Sequence, residues 1–162
     1  MLVEECAGCG IEGTALCASC IAALVPDGRL VPPPTGMDAC VALCRYDAAA
    51  RRVIGSLKYR NHPGVARVLG TALAVLLVGE LRAGAVCAPP PITTVTWVPT
   101  SATRRRRRGY DQARLLAAAV ATESGWGLAG LLARGRGPAQ VIGLVVARTC
   151  LALKDPPWRT EN

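Results

Sequence analysis

The chain has 162 residues, 51% of them apolar, so it is long enough to bury a hydrophobic core and is not an intrinsically disordered protein. Its formal net charge is +8, and residues 104–108, all arginine, supply five of these charges at one place. The strongly apolar run 68–79 is shorter than the ~20 residues of a membrane span, and the N-terminus has acids and cysteines where a secretory signal has basic and apolar regions. We therefore expect no membrane span and a cytoplasmic protein.

The first segment carries two C-x2-C pairs, Cys6 with Cys9 and Cys17 with Cys20. Each pair points two sulfurs inward from one turn, and two pairs supply the four thiolates that tetrahedral Zn2+ prefers. Two disulfides or four free thiols are the alternatives, but a cytosolic chain does not keep disulfides. Because four protein ligands leave no open coordination position, the sequence predicts a structural zinc knuckle over residues 1–24. Gly8 and Gly10 are expected to ease the first turn by adopting positive φ.

A proline-rich segment follows the cysteines. Residues 25–36 hold four prolines and two glycines, which predicts a linker, so that the main domain spans residues 37–162. A second metal site would need two more ligands, and His62 is the one histidine of the chain. The remaining cysteines are therefore interpreted as buried thiols: Cys40, Cys44, Cys87 and Cys150.

Two helices are predicted after the linker. Asp47 is a suitable N-cap for the first, and residues 61–64 are its stop. Its apolar side chains follow the i, i+3, i+4, i+7 pattern: Ala50, Val53, Ile54 and Leu57. The charges on its other side are expected to be solvated: Arg51, Arg52 and Lys58. His62 is interpreted as a turn residue, and residues 65–82 as a second, more buried helix.

A strand, a basic loop and a third helix are predicted next. Residues 92–98 are rich in Thr, Val and Trp, which favour strands, and residues 111–122 regain an apolar helical pattern that ends before Gly125. The remaining tryptophans, Trp126 and Trp158, are interpreted as packing residues. The order of elements predicts an α/β architecture with parallel strands.

The arginine run stands where anionic ligands collect in such sheets, after a strand and before a helix N-terminus. Hydroxyl donors lie beside it at Thr100, Ser101 and Thr103, and Gly109 allows close backbone approach. The pattern is typical of a phosphate site: Arg104, Arg105, Arg106, Arg107 and Arg108 supply the charge. A solvated, mobile loop remains the alternative, since like charges repel one another until something neutralises them.

Four segments together resemble the ComF family, competence-associated proteins with a zinc knuckle joined to a phosphoribosyltransferase-like domain. They are the paired C-x2-C motifs, "CRYDAAARRVIGSLKYRNHPG", "VTWVPTSATRRRRRGYDQARLLA" and, more weakly, "LLARGRGPAQVIGLVVAR". The resemblance implies that residues 100–109 form the pyrophosphate-contacting loop and that Tyr110 and Gln112 continue this phosphate site at the start of the next helix. Asp111 stands where the family usually has Asn, which is compatible with an N-cap but not with a phosphate contact.

The chain departs from the family where the acidic substrate loop is expected. Catalytically competent members carry two adjacent acids followed by Thr-Thr-Gly-x-Thr, whereas no two acids after residue 100 are adjacent here. Arginines cannot replace the carboxylates that hold the ribose and the Mg2+–substrate complex. We therefore expect an incomplete phosphoribosyltransferase-like parallel sheet with an N-terminal zinc-ribbon knuckle, and a protein that binds DNA or another polyanion.

Two alternatives remain open at this point. One is an active enzyme using phosphoribosyl pyrophosphate, with Mg2+ entering only with that substrate. The other is a truncated or frame-shifted remnant without function. An incomplete sheet leaves an exposed edge, and a partner protein is expected to cover it.

Overall fold

The computed structural model describes residues 4–24, 29–33, 35, 37–86, 94–130 and 142–148, and these form a mixed α/β arrangement with two short sheets. The helices are α1 Ala18–Leu24, α2 Ala48–Tyr59, α3 Gly64–Arg82, α4 Ala102–Arg108 and α5 Gln112–Ser124. The strands are β1 Arg29–Val31, β2 Ala39–Arg45, β3 Thr94–Val95, β4 Gly127–Leu128 and β5 Ile142–Arg148. Cys87, Cys150 and Trp158 lie outside the described residues.

The first sheet has the order β1-β2-β5, with β2 in the centre. β2 runs parallel to β5, with Val41 opposite Leu144, and antiparallel to β1. Residues 41–44 of β2 are buried, and Cys40 and Cys44 are both among the buried strand residues, as the sequence predicted for these two thiols. The parallel pairing of β2 with β5 confirms an α/β architecture with parallel strands.

β1 falls inside the segment that was predicted to be a linker. Residues 29–31 pair with β2 along its open edge, because strand pairing satisfies backbone groups there that a free linker would leave to water. In the sequence, one proline precedes this short strand and three follow it, and the density of prolines is what suggested a linker. The chain between the cysteines and β2 therefore contributes to the sheet.

The helices α2 and α3 confirm the sequence prediction closely. The Asp47 side chain accepts a hydrogen bond from the Ala50 backbone N–H at 2.9 Å and caps α2. After α2, Asn61 takes a positive φ of 54° and ends the helical path. His62 lies in this stop, where its Nδ1 is 2.9 Å from the hydroxyl of Ser56, a residue that is 2% exposed. That contact ties the turn back onto α2.

The helices α3 and α5 pack closely against each other. A Cβ built at Gly70 of α3 would stand 2.9 Å from the Leu116 carbonyl oxygen and would also collide with Ala119. The helix α3 has 19 residues and a mean hydropathy of 1.7 over its most apolar window, which is long and apolar enough to cross a membrane. The core helices of many water-soluble proteins have the same length and composition. In this structure Leu69, Leu73 and Leu77 of α3 are buried in the protein interior.

The arginine run is helical, and the expectation of a loop over residues 100–109 was wrong for residues 102–108. Ser101 caps α4 by accepting a hydrogen bond from the Arg104 N–H, and Gly109 ends it in the left-handed conformation at φ 79°. Arginine has a high helix propensity, so these two residues suffice to define a short helix. The predicted strand at residues 92–98 is also shorter among the described residues, since only β3 pairs there, in parallel with β4.

The cysteine segment shares the core of the main domain. Cys6, Leu16 and Leu24 belong to the same buried cluster as Leu43 and Val53. Trp126 packs against a smaller cluster formed by Val41, Leu77 and Val86, as predicted for a packing residue. The N-terminal segment therefore packs against the α/β body that carries the arginine helix.

Candidate functional site

Four cysteine side chains meet at one point near the N-terminus, and we call Cys6, Cys9, Cys17 and Cys20 the cysteine cluster. Their Sγ atoms all lie within 4.8 Å of one another, and those of Cys9 and Cys17 are 3.7 Å apart. Tetrahedral coordination with Zn–S bonds of about 2.3 Å places sulfurs about 3.8 Å apart. All four thiols are free, so the cluster has the donor set, the number and the spacing of a metal site.

The backbone around the cysteine cluster is built from two turns joined by short bridges. Glu5 and Glu12 form an antiparallel bridge, and the Cys17 N–H donates to the Cys6 Sγ at 3.3 Å. Gly10 adopts the expected positive φ of 81°. Gly8 does not adopt a positive φ, and glycine is required at this position for a steric reason: a Cβ there would lie 2.5 Å from the Cys20 Sγ. The sulfur of Cys20 reaches the cluster only because residue 8 has no side chain.

Two thiols of the cysteine cluster, Cys6 and Cys20, differ in how readily they ionise. Desolvation opposes ionisation of Cys6, but hydrogen bonds from the backbone of Cys17, Cys9 and Gly8 lower its pKa to about 6. Desolvation and the neighbouring sulfurs, above all Cys17, raise the pKa of Cys20 to about 12. The Cys6 thiolate therefore forms readily, whereas the Cys20 thiolate does not form beside the other sulfurs without a cation. This arrangement favours a bound metal ion.

The arginine helix α4 presents a dense positive surface. The side chains of residues 104–107 are exposed, and Arg108 is half-buried with its guanidinium 5.4 Å from the centroid of the Tyr59 ring. Within the described ranges, the guanidinium groups of residues 104–107 make no ion pair. Like charges three and four residues apart destabilise a helix. An anion bound along α4 would relieve this repulsion.

Asp111 fixes both ends of the segment that carries α4. Its carboxylate accepts hydrogen bonds from the Ala113 and Arg114 N–H groups at 3.1 and 3.3 Å, which makes it the N-cap of α5. The same carboxylate accepts from the Thr100 N–H at 3.0 Å and from the Thr100 hydroxyl at 3.2 Å. We call this set of four hydrogen bonds the Asp111 clamp. The N-cap expected for Asp111 is present, and the clamp occupies the Thr100 hydroxyl.

The remaining residues predicted for the phosphate site have different surroundings. The Tyr110 hydroxyl donates to the Leu57 carbonyl oxygen of α2, and burial raises its pKa although the charge of Arg108 opposes the shift. Ser101 and Gly109 cap α4, and Thr103 is exposed on it. The Gln112 side-chain oxygen is buried and has no hydrogen-bond partner among the described residues. The exposed arginines and Thr103 thus face solvent, whereas the hydroxyls of Thr100 and Tyr110 hold the segment in place.

A cleft of about 400 Å³ opens between α4, the start of α5 and the end of β3. Arg105 of α4 and Arg114 of α5 both line it, and the Arg114 guanidinium lies 5.9 Å from the Trp97 ring centroid. Its other lining residues are Pro99, Gly109, Tyr110, Asp111, Leu115 and Gly130. Two guanidinium groups beside an aromatic ring suit an anionic ligand.

Comparisons with known proteins identify no relative, since no protein-family model, curated protein or solved structure matches the chain. Sequence reasoning missed two features that bear on the arginine helix, namely the Asp111–Thr100 bonds and the contact of Arg108 with Tyr59. Arg108 and Tyr59 are 49 positions apart in the sequence, so no local sequence pattern predicts their contact.

Proposed function

We propose that the chain is a ComF-like protein of the phosphoribosyltransferase type that binds polyanions, DNA or phosphate, through α4 and is not catalytic. The resemblance associates such a protein with DNA uptake and competence. The observation that carries the proposal is the exposure of residues 104–107, whose guanidinium groups have no ion-pair partner in the part of the chain that the structure describes. Four exposed charges on about one helical turn attract phosphates strongly and without sequence preference.

We assign Zn2+ to the cysteine cluster as a structural ion. Four cysteine ligands leave no coordination position for substrate, so the ion would stabilise the fold and not take part in a reaction. Leu16 and Leu24 of this segment are buried with Leu43 of β2. Metal binding would therefore support the body that carries α4.

The non-catalytic assignment rests on the sequence after residue 100, in which no two acids are adjacent. Phosphoribosyl transfer needs carboxylates that hold the ribose hydroxyls and the Mg2+–pyrophosphate group. Of the acids there, Asp111 is committed to the clamp and Glu123 accepts from the Thr71 hydroxyl at 3.4 Å. The arginine helix alone would bind a phosphate group without activating the ribose.

The cleft favours a second candidate, an enzyme that uses phosphoribosyl pyrophosphate. It lies beside the carboxyl end of β3, a strand in parallel pairing, which is where such sheets receive phosphorylated ligands. Arg105 and Arg114 would contact the pyrophosphate group. This candidate requires Mg2+-dependent binding in the cleft, whereas the polyanion proposal does not.

A titration of the zinc-loaded full-length protein separates the two candidates. The ligands are a fluorescent single-stranded oligonucleotide and phosphoribosyl pyrophosphate, each at two salt concentrations and with or without Mg2+. We expect salt-sensitive oligonucleotide binding that needs no Mg2+, and its loss when residues 104–107 are changed to Gln. The control variant changes Arg51 and Arg52, which are exposed on α2, to Gln, and it should retain oligonucleotide binding. Tight Mg2+-dependent binding of phosphoribosyl pyrophosphate alone would refute the non-catalytic assignment.

A further inference from the structure

The C-terminal end of α2 places an exposed aromatic ring against the arginine helix. Tyr59 is the last residue of α2 and is 70% exposed, and the Arg108 guanidinium lies 5.4 Å from its ring centroid. The Tyr110 hydroxyl fixes this neighbourhood by donating to the Leu57 carbonyl oxygen, two residues before Tyr59. The end of α2 and the end of α4 therefore form one surface.

The two aromatic residues nearest to the arginines in the sequence are less accessible than Tyr59. Tyr110 is half-buried and its hydroxyl is engaged with α2, while Trp97 is half-buried with the Arg114 guanidinium 5.9 Å from its ring centroid. Tyr59 has its guanidinium contact and still exposes most of its side chain. One face of a ring is enough to stack a planar group, since every nucleobase presents a π-face.

We infer that Tyr59 is a base-stacking residue for single-stranded nucleic acid whose phosphates are bound by α4. This inference rests on the proposed polyanion binding and names the class of polyanion. Arginine contacts to phosphates position a strand, and an aromatic ring beside them then receives an unpaired base. In a duplex the bases are stacked on one another, so the ring offers little to double-stranded DNA. Inorganic polyphosphate has no base to stack at all.

The chain contains a matched comparison residue. Tyr46 stands just before α2, is 39% exposed and has the Arg51 guanidinium 5.7 Å from its ring centroid. The 12 residues of α2 end with Tyr59 and begin two positions after Tyr46, and a helix of this size is about 18 Å long at ~1.5 Å per residue. Tyr46 thus has the same type of contact with arginine, but it lies at the opposite end of α2 from the arginine helix.

The test compares two strands of equal length and charge, an oligothymidine and an abasic strand that has the same phosphates and no bases. The full-length, zinc-loaded protein is used as wild type and as Tyr59→Ala, Tyr59→Phe and Tyr46→Ala. We expect Tyr59→Ala to weaken oligothymidine binding at least about fivefold, the lower end of the effect of removing one stacked ring, and to leave abasic binding unchanged. Tyr59→Phe, which keeps the ring, should bind both strands as wild type does, and so should Tyr46→Ala.

Three results would overturn the inference, and they differ from one another. Equal weakening for both strands by Tyr59→Ala would mean that Tyr59 acts by holding Arg108 and not by stacking. Unchanged binding of both strands would mean that no base contacts this ring. If the wild-type protein bound neither strand, the polyanion proposal itself would fail, together with the stacking role.

Discussion

The Asp111 clamp gives the sharpest prediction for stability, because its carboxylate makes four hydrogen bonds although only 9% of the residue is exposed. In Asp111→Ala the start of α5 loses its cap, which costs about 1 kcal/mol. The Thr100 N–H and hydroxyl lose their acceptor in a partly buried position, which adds roughly 1–2 kcal/mol. We therefore expect a loss of about 2–3 kcal/mol in the free energy of unfolding.

The matched control is the other N-cap of the same segment. Ser101 caps α4 with one hydrogen bond of 3.5 Å on an exposed surface, so Ser101→Ala should cost at most about 0.5 kcal/mol, the low end for such caps. Urea denaturation of the zinc-loaded proteins, followed by circular dichroism, measures both. With a slope of roughly 1–2 kcal/mol per molar urea, Asp111→Ala should lower the midpoint by about 1 M or more. Equal midpoints for the two variants would refute the role given to the clamp.

Three further predictions concern packing and the metal. Gly70→Ala should destabilise the protein by about 1–3 kcal/mol, because the added Cβ would collide with α5. Gly79→Ala on the same helix should stabilise the protein by about 0.5–1 kcal/mol, because a Cβ there has no neighbour within 4 Å. Thermal unfolding compares the two variants, and equal effects would contradict the close α3–α5 packing. Gly8→Ala should weaken metal binding in a competition titration by displacing the Cys20 sulfur, while Ser19→Ala, exposed between two ligands, should not; equal affinities would count against this geometry. Cys20→Ser should abolish the stoichiometric metal content that Cys40→Ser retains, as measured by elemental analysis, and retention by both would remove the metal site.

The helices were predictable because their signals are local. Asp47, Asp111 and Gly125 stand at the caps where the sequence suggested them, and the apolar period of α2 places Val53 and Leu57 in the core. The cysteine cluster was predictable for the same reason, since its spacing alone fixes the donor set. That its four sulfurs meet within 4.8 Å confirms a site fit for a metal ion, and Zn2+ remains the prediction.

The errors arose where pairing or charge obscured the local signal. β1 was taken for a linker because prolines surround it, and only its pairing with β2 makes residues 29–31 a strand. α4 was taken for a loop because its arginines follow a predicted strand, precede a predicted helix and fall where the resemblance implies a pyrophosphate loop. Ser101 and Gly109, which cap α4, were interpreted only as parts of the phosphate site. The contact between Arg108 and Tyr59 depends on how α2 and α4 meet, which no pattern within either segment determines.

The most direct test of the central claim is the salt dependence of oligonucleotide binding by the zinc-loaded, full-length protein. If three to five phosphates are neutralised by the arginine helix, the plot of log affinity against log salt should have a slope of about −2 to −5, at roughly −0.7 to −0.9 per phosphate contact. Changing residues 104–107 to Gln should bring this slope close to zero, whereas changing Arg51 and Arg52 to Gln should preserve it. A wild-type slope near zero, or an unchanged slope in the first variant, would contradict polyanion binding by α4.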